Sequence, residues 1–142
     1  MQAHRRGAPR VGIEALCWEL VDGHEHSGMA VDLSPAGLRI ERPYVGGPTR
    51  REVPLQLEVP GIDEVMWARG DACFDVVVPA ASTAGGPLGL VRRTGYRLAL
   101  AAARDLRLLK EFVFETHRAA RAREAAALEL PELGLASCYL RA

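Results

Sequence analysis

Basic side chains gather at the beginning of the chain. The stretch HRRGAPRV holds Arg5, Arg6 and Arg10 and no aspartate or glutamate, although the formal net charge of the 142 residues is +0. A guanidinium group presents a planar fork of donors that suits phosphate oxygens and the O6/N7 edge of guanine, and it stacks on flat rings. The stretch is therefore a candidate anion site, and the alternative is a solvated, disordered terminus.

A second short motif lies in the stretch VDLSPAGLRI, where Asp32, Ser34 and Gly37 are spaced as DxSxxG. Ser, Pro and Gly are turn residues, so a strand end with ordinary turn chemistry is one interpretation. A carboxylate also accepts hydrogen bonds from N–H donors, such as those on the Watson–Crick edge of guanine, and glycine allows close backbone approach. With the arginines, these residue types suit a phosphorylated purine.

Alternating apolar residues predict the strands that position these two motifs. Apolar side chains recur at every second position over 11–17 and again over 29–33, and Asp22–Gly28 between them has the composition of a hairpin turn. A hairpin returns the chain to the point where it started. The arginines of the first motif are therefore expected to lie beside the aspartate and serine of the second.

Further short alternating runs predict an antiparallel β-barrel or sandwich rather than βαβ units. Among them, Val65–Ala68 and Asp71–Val78 suggest a pair of strands, and Pro79–Gly89 suggests a flexible loop. The arginine pairs Arg50–Arg51 and Arg92–Arg93 are interpreted as solvated loop charge.

A helix is expected after Ala103, because the apolar spacing changes there to that of an amphipathic helix. The helix is predicted over 104–130 and is expected to end before Pro131 and Gly134. Its first half carries large apolar residues that would dock on the barrel. Its second half, RAARAREAAALE, is alanine with charges and either projects into solvent or packs against a partner. Residues 131–142 are left as an apolar tail.

The composition and the remaining motifs exclude several classes of protein. Zero net charge argues against a general nucleic-acid coat or a membrane-surface binder. Three widely spaced cysteines form no metal or disulfide pattern, and His24 and His26 are interpreted as surface residues, so no metal site is expected. No nucleophile elbow or phosphate-binding glycine loop is present, so an enzyme is not expected. Without a signal peptide or membrane span, a cytoplasmic location and no membrane insertion are expected.

Taken together, the two motifs resemble those of the PilZ domain family, which is marked by RxxxR followed after a hairpin by [DN]xSxxG. GYRL (Gly95–Leu98) is a weaker third match to the family's closing strand, where Leu98 replaces the usual Phe. The resemblance covers about residues 5–115. It implies a mainly β fold, a six-stranded antiparallel β-barrel with a C-terminal α-helix. The expected divisions are a flexible basic arm over 1–10, a barrel over 11–103, the helix and the tail.

The resemblance also implies binding of the bacterial second messenger cyclic di-GMP. In the family the RxxxR arginines clamp guanine and phosphate, and this role carries onto Arg6 and Arg10. The [DN]xSxxG residues contact a guanine base and shape the site, and this role carries onto Asp32, Ser34 and Gly37. The expected function is that of a receptor that changes conformation on binding and signals to a downstream protein, with no cofactor besides this ligand.

Arg5 precedes the RxxxR motif directly, at a position that the family associates with two intercalated ligand molecules. It favours a stacked dimeric ligand. The alternative function is an adaptor that resembles the family but acts by protein contact, with a non-functional ligand site and the C-terminal helix as the contact surface, including a homodimer contact. A weaker alternative is binding of another nucleotide or of RNA through the arm.

Overall fold

Six antiparallel strands close into a barrel, and a long helix follows them, in the computed structural model of the chain. The structure describes residues 9–80 and 89–141, with side chains as far as residue 128. The strands are β1 (Val11–Val21), β2 (His24–Ser34), β3 (Gly37–Pro43), β4 (Glu52–Leu57), β5 (Met66–Pro79) and β6 (Leu90–Ala101), and the helix is α1 (Ala103–Arg141). Around the barrel the order is β1-β2-β3-β6-β5-β4, and β1 pairs with β4 to close it. The predicted fold class is confirmed.

The first hairpin turns more tightly than the sequence suggested. Asp22 and Gly23 alone form the loop, with φ angles of 52° and 76°. Two residues with positive φ match the right-handed twist of the flanking strands, and Asp-Gly is a favoured pair for this turn. The predicted turn over Asp22–Gly28 is therefore wrong in its length, and His24 and His26 lie on β2.

The barrel interior is apolar along most of its length, and α1 covers part of it. Leu33, Ile40 and Leu55 are completely buried inside the barrel. Leu109 and Val113 of α1 are also completely buried and belong to the same core. The apolar first half of the helix therefore docks on the barrel, as its spacing predicted.

Strand β5 is continuous where the sequence suggested two strands separated at Gly70. Gly70 is buried, and a Cβ atom there would lie 2.7 Å from Leu55 Cδ1 and 2.8 Å from Tyr96 Cδ1. The pairing of β5 with β6 shifts register between Arg69 and Gly70, as at a β-bulge. The glycine therefore makes room for two neighbouring side chains, and the predicted division into two strands is wrong.

Helix α1 is longer than predicted. It runs through Pro131 to Arg141, whereas the sequence suggested an end at residue 130 and a separate tail. A proline removes one backbone hydrogen bond and can kink a helix without ending it, and the surrounding Leu, Glu and Ala residues are strong helix formers. Among the described residues, no helix combines the length and apolar character that crossing a membrane requires.

A buried carboxylate, Glu19 of β1, points into one end of the barrel and is 0% exposed. The Tyr96 hydroxyl donates a hydrogen bond to Glu19 Oε2, and Arg42 Nε lies 2.6 Å from Oε1. Arg50 Nε lies 3.4 Å from Oε2. Burial and the adjacent negative charge raise the pKa of Tyr96, so its hydroxyl stays protonated and remains a donor.

A second buried carboxylate, Asp75 of β5, lies in the same end of the barrel. Arg92 Nε and Nη2 each donate to one Asp75 oxygen at 2.9 Å, and the Thr94 hydroxyl and the Arg50 backbone N–H donate at 2.8 Å and 2.7 Å. Arg50 and Arg92 are each 5% exposed, so the interpretation of these arginines as solvated loop charge is wrong. Their carboxylate partners, Glu19 and Asp75, lie on β1 and β5 and are distant from them in sequence.

The hydrogen bonds to Asp75 predict an acid-sensitive fold. Burial alone would raise the pKa of Asp75, but the four donors outweigh it and lower the pKa from 3.8 to about 2. The stabilisation is therefore complete above pH 3.8 and is lost as the pH falls towards 2. It corresponds to about 2 kcal/mol of unfolding free energy.

Urea unfolding across this pH range tests the expectation. Asp75→Asn should lower the free energy of unfolding at neutral pH. On acidification, the free energy of unfolding of this variant should fall by about 2 kcal/mol less than that of the wild type. Asp63→Asn changes an exposed aspartate and serves as the control. An Asp75→Asn protein with the full acid dependence of the wild type would contradict the assignment.

Candidate ligand-binding site

Arg10 and Asp32 meet at the open end of the first hairpin. Arg10 directly precedes β1, and Asp32 lies near the end of β2, where it pairs with Gly12. Arg10 Nη1 donates to Asp32 Oδ2 at 3.1 Å, and the two side chains are 69% and 19% exposed. The predicted placement is confirmed for this pair. Arg5 and Arg6 lie outside the described residues.

Ser34 and Gly37 form the two ends of the turn between β2 and β3. The Ser34 hydroxyl accepts hydrogen bonds from the backbone N–H groups of Gly37 at 3.1 Å and Ala36 at 3.3 Å. It also donates to the Gly37 carbonyl oxygen at 3.2 Å. Ser34 is 7% exposed, so its hydroxyl acts within the turn. Ser34 and Gly37 of the DxSxxG motif therefore hold the turn in shape. Asp32 is more exposed than Ser34, so it is the residue of the motif that can reach a ligand.

Gly37 packs directly against β6. It pairs with Arg97, and a Cβ atom built on Gly37 would overlap the carbonyl oxygen of Tyr96. Because the obstacle is backbone, it cannot be relieved by a change of rotamer. The last glycine of the motif is therefore required for the close approach of β3 and β6 beside the site.

A groove of about 510 Å³ runs between the start of β1 and the middle of α1. It is lined by Arg10 and, from the helix, by His117, Arg121, Arg123 and Glu124. Arg121 and Arg123 of α1 therefore line the same groove as Arg10. The groove has three arginines and one carboxylate, Glu124. Sequence reasoning missed these helix residues, although the spacing of 117, 121 and 124 places them on one helical face.

Side chains for covalent or metal chemistry are not grouped at this site. In the described part of the chain, no three His, Cys, Asp or Glu residues are placed to hold a metal ion. Cys17 is buried in the barrel, and burial followed by the charge of Glu19 raises the pKa of its thiol to about 12. A neutral, buried thiol is a poor nucleophile. The arrangement of guanidinium and carboxylate groups suits reversible ligand binding.

Solved structures share the architecture of this chain. The PilZ domain of YcgR from Escherichia coli, solved with c-di-GMP, matches with a TM-score of 0.63 and 17% identity over 85% of this chain and 98% of that chain. The Bacillus subtilis inhibitor of motility, MotI/DgrA, matches with a TM-score of 0.67 and 12% identity over 82% of this chain and 53% of that chain. MrkH of K. pneumonia matches with a TM-score of 0.61 and 10% identity over 83% of this chain and 51% of that chain.

These similarities define the class of fold. The chain has a PilZ-like fold, and it spans about half the length of the MotI/DgrA and MrkH chains that it matches. No protein-family model and no curated protein matches its sequence.

The close contact of Gly37 predicts a large effect of one added methyl group. Gly37→Ala should lower the free energy of unfolding by about 1–3 kcal/mol, because β3 must move away from the Tyr96 carbonyl. Gly12→Ala is the matched control, since its Cβ would meet no atom closer than 3.9 Å. Urea unfolding measures both variants, and equal stability of the two would contradict the explanation.

Proposed function

We propose that this chain is a receptor for cyclic di-GMP and not an enzyme. The observation that carries the proposal is the contact of Arg10 with Asp32, which joins the RxxxR and DxSxxG motifs at one end of a PilZ-like barrel. Both groups expose hydrogen-bonding atoms to solvent. The PilZ domain of YcgR was solved with the same ligand, which supports the choice among phosphorylated purines.

In the proposed complex, Arg10 and Arg6 hold phosphate and guanine through guanidinium donors, and Asp32 accepts from guanine N–H groups. Ser34 and Gly37 act indirectly, because they fix the turn that carries Asp32. The groove beside Arg10 adds the positive charges of Arg121 and Arg123 to the same surface. The arrangement favours a ligand with more than one phosphate.

The number of bound ligand molecules depends on Arg5 in this proposal. A third guanidinium group beside the clamp can stack on the flat face of a second, intercalated purine ring. We propose that binding brings the arm of residues 1–10 onto the barrel. The resulting change of the surface near Arg10 and α1 is the signal to a downstream protein.

Isothermal titration calorimetry with cyclic di-GMP tests the proposal. Arg10→Ala should weaken binding about 10- to 100-fold, because it removes one guanidinium contact. The double variant Arg6→Ala, Arg10→Ala should lose several orders of magnitude. Arg104→Ala is the matched control, because Arg104 forms an exposed ion pair with Glu64 at 2.9 Å, as Arg10 does with Asp32.

Two results would contradict the receptor function. The first is a wild-type protein that gives neither heat nor a thermal shift with cyclic di-GMP. The second is effective competition by GTP or by a generic oligonucleotide, which would indicate another nucleotide or RNA as the ligand. Salt dependence alone does not separate these ligands, because every phosphate clamp is weakened by salt.

A second candidate function, protein contact through α1, is favoured by the exposure of its second half. Every residue over 121–128 is exposed, and Leu128 is 79% exposed. A helix stretch whose side chains are exposed gains little stability from burial. We propose a second copy of this chain as its partner, so that the adaptor and receptor functions share the helix.

Sedimentation velocity measures whether the chain forms a dimer and whether Leu128 of α1 is part of the contact. Leu128→Glu should shift a dimer to monomer, because it places a charge in the helix contact. Leu100→Glu is the control, since Leu100 of β6 is 65% exposed and lies on the barrel. A wild-type monomer at all concentrations, or equal dissociation of both variants, would contradict the helix contact.

A further inference from the structure

A second polar pocket opens at the end of the barrel opposite to Arg10 and Asp32. It has a volume of about 290 Å³ and is lined by Glu25 and Ser27 at the start of β2, by Arg42 at the end of β3, and by Arg92 near the start of β6. Arg50, from the connection between β3 and β4, and His26 of β2 complete the polar lining. The length of β2 separates Glu25 from Asp32, so this pocket is not part of the site described above.

The buried groups around this pocket carry excess positive charge. Arg42, Arg50 and Arg92 are 5–6% exposed, whereas their buried carboxylate partners are only Glu19 and Asp75 within the described residues. Burial lowers the pKa of Arg42 despite the adjacent Glu19. An excess buried cation is costly, and an anion that enters the pocket would offset that cost.

The three arginines differ in how fully their donors are used. Arg92 donates to both Asp75 oxygens and to the carbonyl oxygens of Gly46 and Pro48, so four of its five N–H donors are used. In the described part of the chain, the Arg50 guanidinium makes one hydrogen bond, to the Pro48 carbonyl oxygen at 3.0 Å. Its Nε is directed at Glu19 Oε2 at 3.4 Å, an ion-pair contact that does not meet hydrogen-bond geometry, and the described residues offer no other partner to this atom.

Arg42 is intermediate between these two cases. Its Nε lies 2.6 Å from Glu19 Oε1, and its Nη2 donates to the Thr94 hydroxyl at 3.0 Å. Within the described residues, its Nη1 has a single long contact of 3.5 Å, with the Arg92 carbonyl oxygen. Arg42 and Arg50 therefore retain donor capacity beside the pocket. Two guanidinium groups on one cavity suit a tetrahedral oxyanion, which has enough oxygens to accept from both.

We propose that this pocket binds the phosphate group of a small molecule through Arg42 and Arg50. The volume is close to the lower end of small-molecule pockets, about 300 Å³, so it accommodates a phosphate with a small organic group. Glu25 is exposed at the mouth and opposes the anion. The pocket shares no lining residue with the groove beside Arg10, so occupancy of the two cavities is measured separately.

An NMR titration of the full chain with inorganic phosphate, at constant ionic strength, tests the pocket. Ser27 and Gly46 line the pocket, so their backbone amide signals report binding there, separately from any binding at Arg10. We expect saturable shifts of both signals in the wild type and weaker binding of acetate. Absence of saturation, or acetate binding as tight as phosphate, would overturn the proposal.

Two variants with opposite expected effects complete the test. Arg50→Gln should weaken phosphate binding about 10- to 100-fold, and the exposed neighbour Arg51→Gln should leave it unchanged. Glu25→Gln should tighten binding about 2- to 5-fold, because it removes a repulsive charge at the mouth. Equal effects of the two arginine variants would overturn the proposal. If Arg50→Gln does not fold, the absence of tightening in Glu25→Gln would do so.

Discussion

The buried carboxylate of Glu19 is the constraint on which the inside of the barrel depends. It lies on β1, and its partners come from β3, from the connection between β3 and β4, and from β6. A carboxylate removed from water without partners would be very costly, so each of these groups must be in place. Removing one partner of a buried ion pair costs about 3–5 kcal/mol. The cluster therefore selects one arrangement of these elements around β1.

Tyr96 connects this buried cluster with the candidate ligand site. Its hydroxyl donates to Glu19, while its backbone carbonyl lies against Gly37 at the turn of the DxSxxG motif. Its ring also occupies the space that Gly70 leaves open on β5. The backbone of Tyr96 thus supports the turn at Gly37, while its hydroxyl is held by the Glu19 carboxylate. The shape of the turn at Asp32 consequently rests on packing inside the barrel as well as on Ser34.

The parts of the structure that follow from local rules were predictable from the sequence. Alternation of apolar residues and the return of a hairpin placed Arg10 beside Asp32, and the contact is confirmed. The apolar positions of the first half of α1 also follow from helical spacing, and Leu109 and Val113 are buried as expected. In both cases the relevant residues are neighbours on one element or across one hairpin.

The features that the sequence did not predict depend on contacts between distant elements. The sequence suggested two strands on either side of Gly70, but the strand is continuous, and the small size of this glycine serves the packing of Leu55 and Tyr96. Arg50 and Arg92 suggested solvated charge, because their partner Asp75 lies on β5, and nothing local indicates that these side chains point inwards. Pairing of charges across a closed barrel is a property of the topology, and a single sequence does not reveal it.

The weakness of the contact between Arg10 and Asp32 is itself suited to ligand binding. Arg10 is 69% exposed, and an exposed ion pair contributes at most about 1 kcal/mol. The buried pair of Arg92 and Asp75 differs, since both side chains have lost their water and neither can exchange its partner cheaply. An arginine that exchanges a carboxylate for a ligand phosphate must be held by a weak, exposed ion pair such as that of Arg10 with Asp32. In the proposed receptor, the two ends of the barrel therefore use the same pair of residue types differently: Arg10 exchanges Asp32 for a phosphate, whereas Arg92 and Asp75 stay paired.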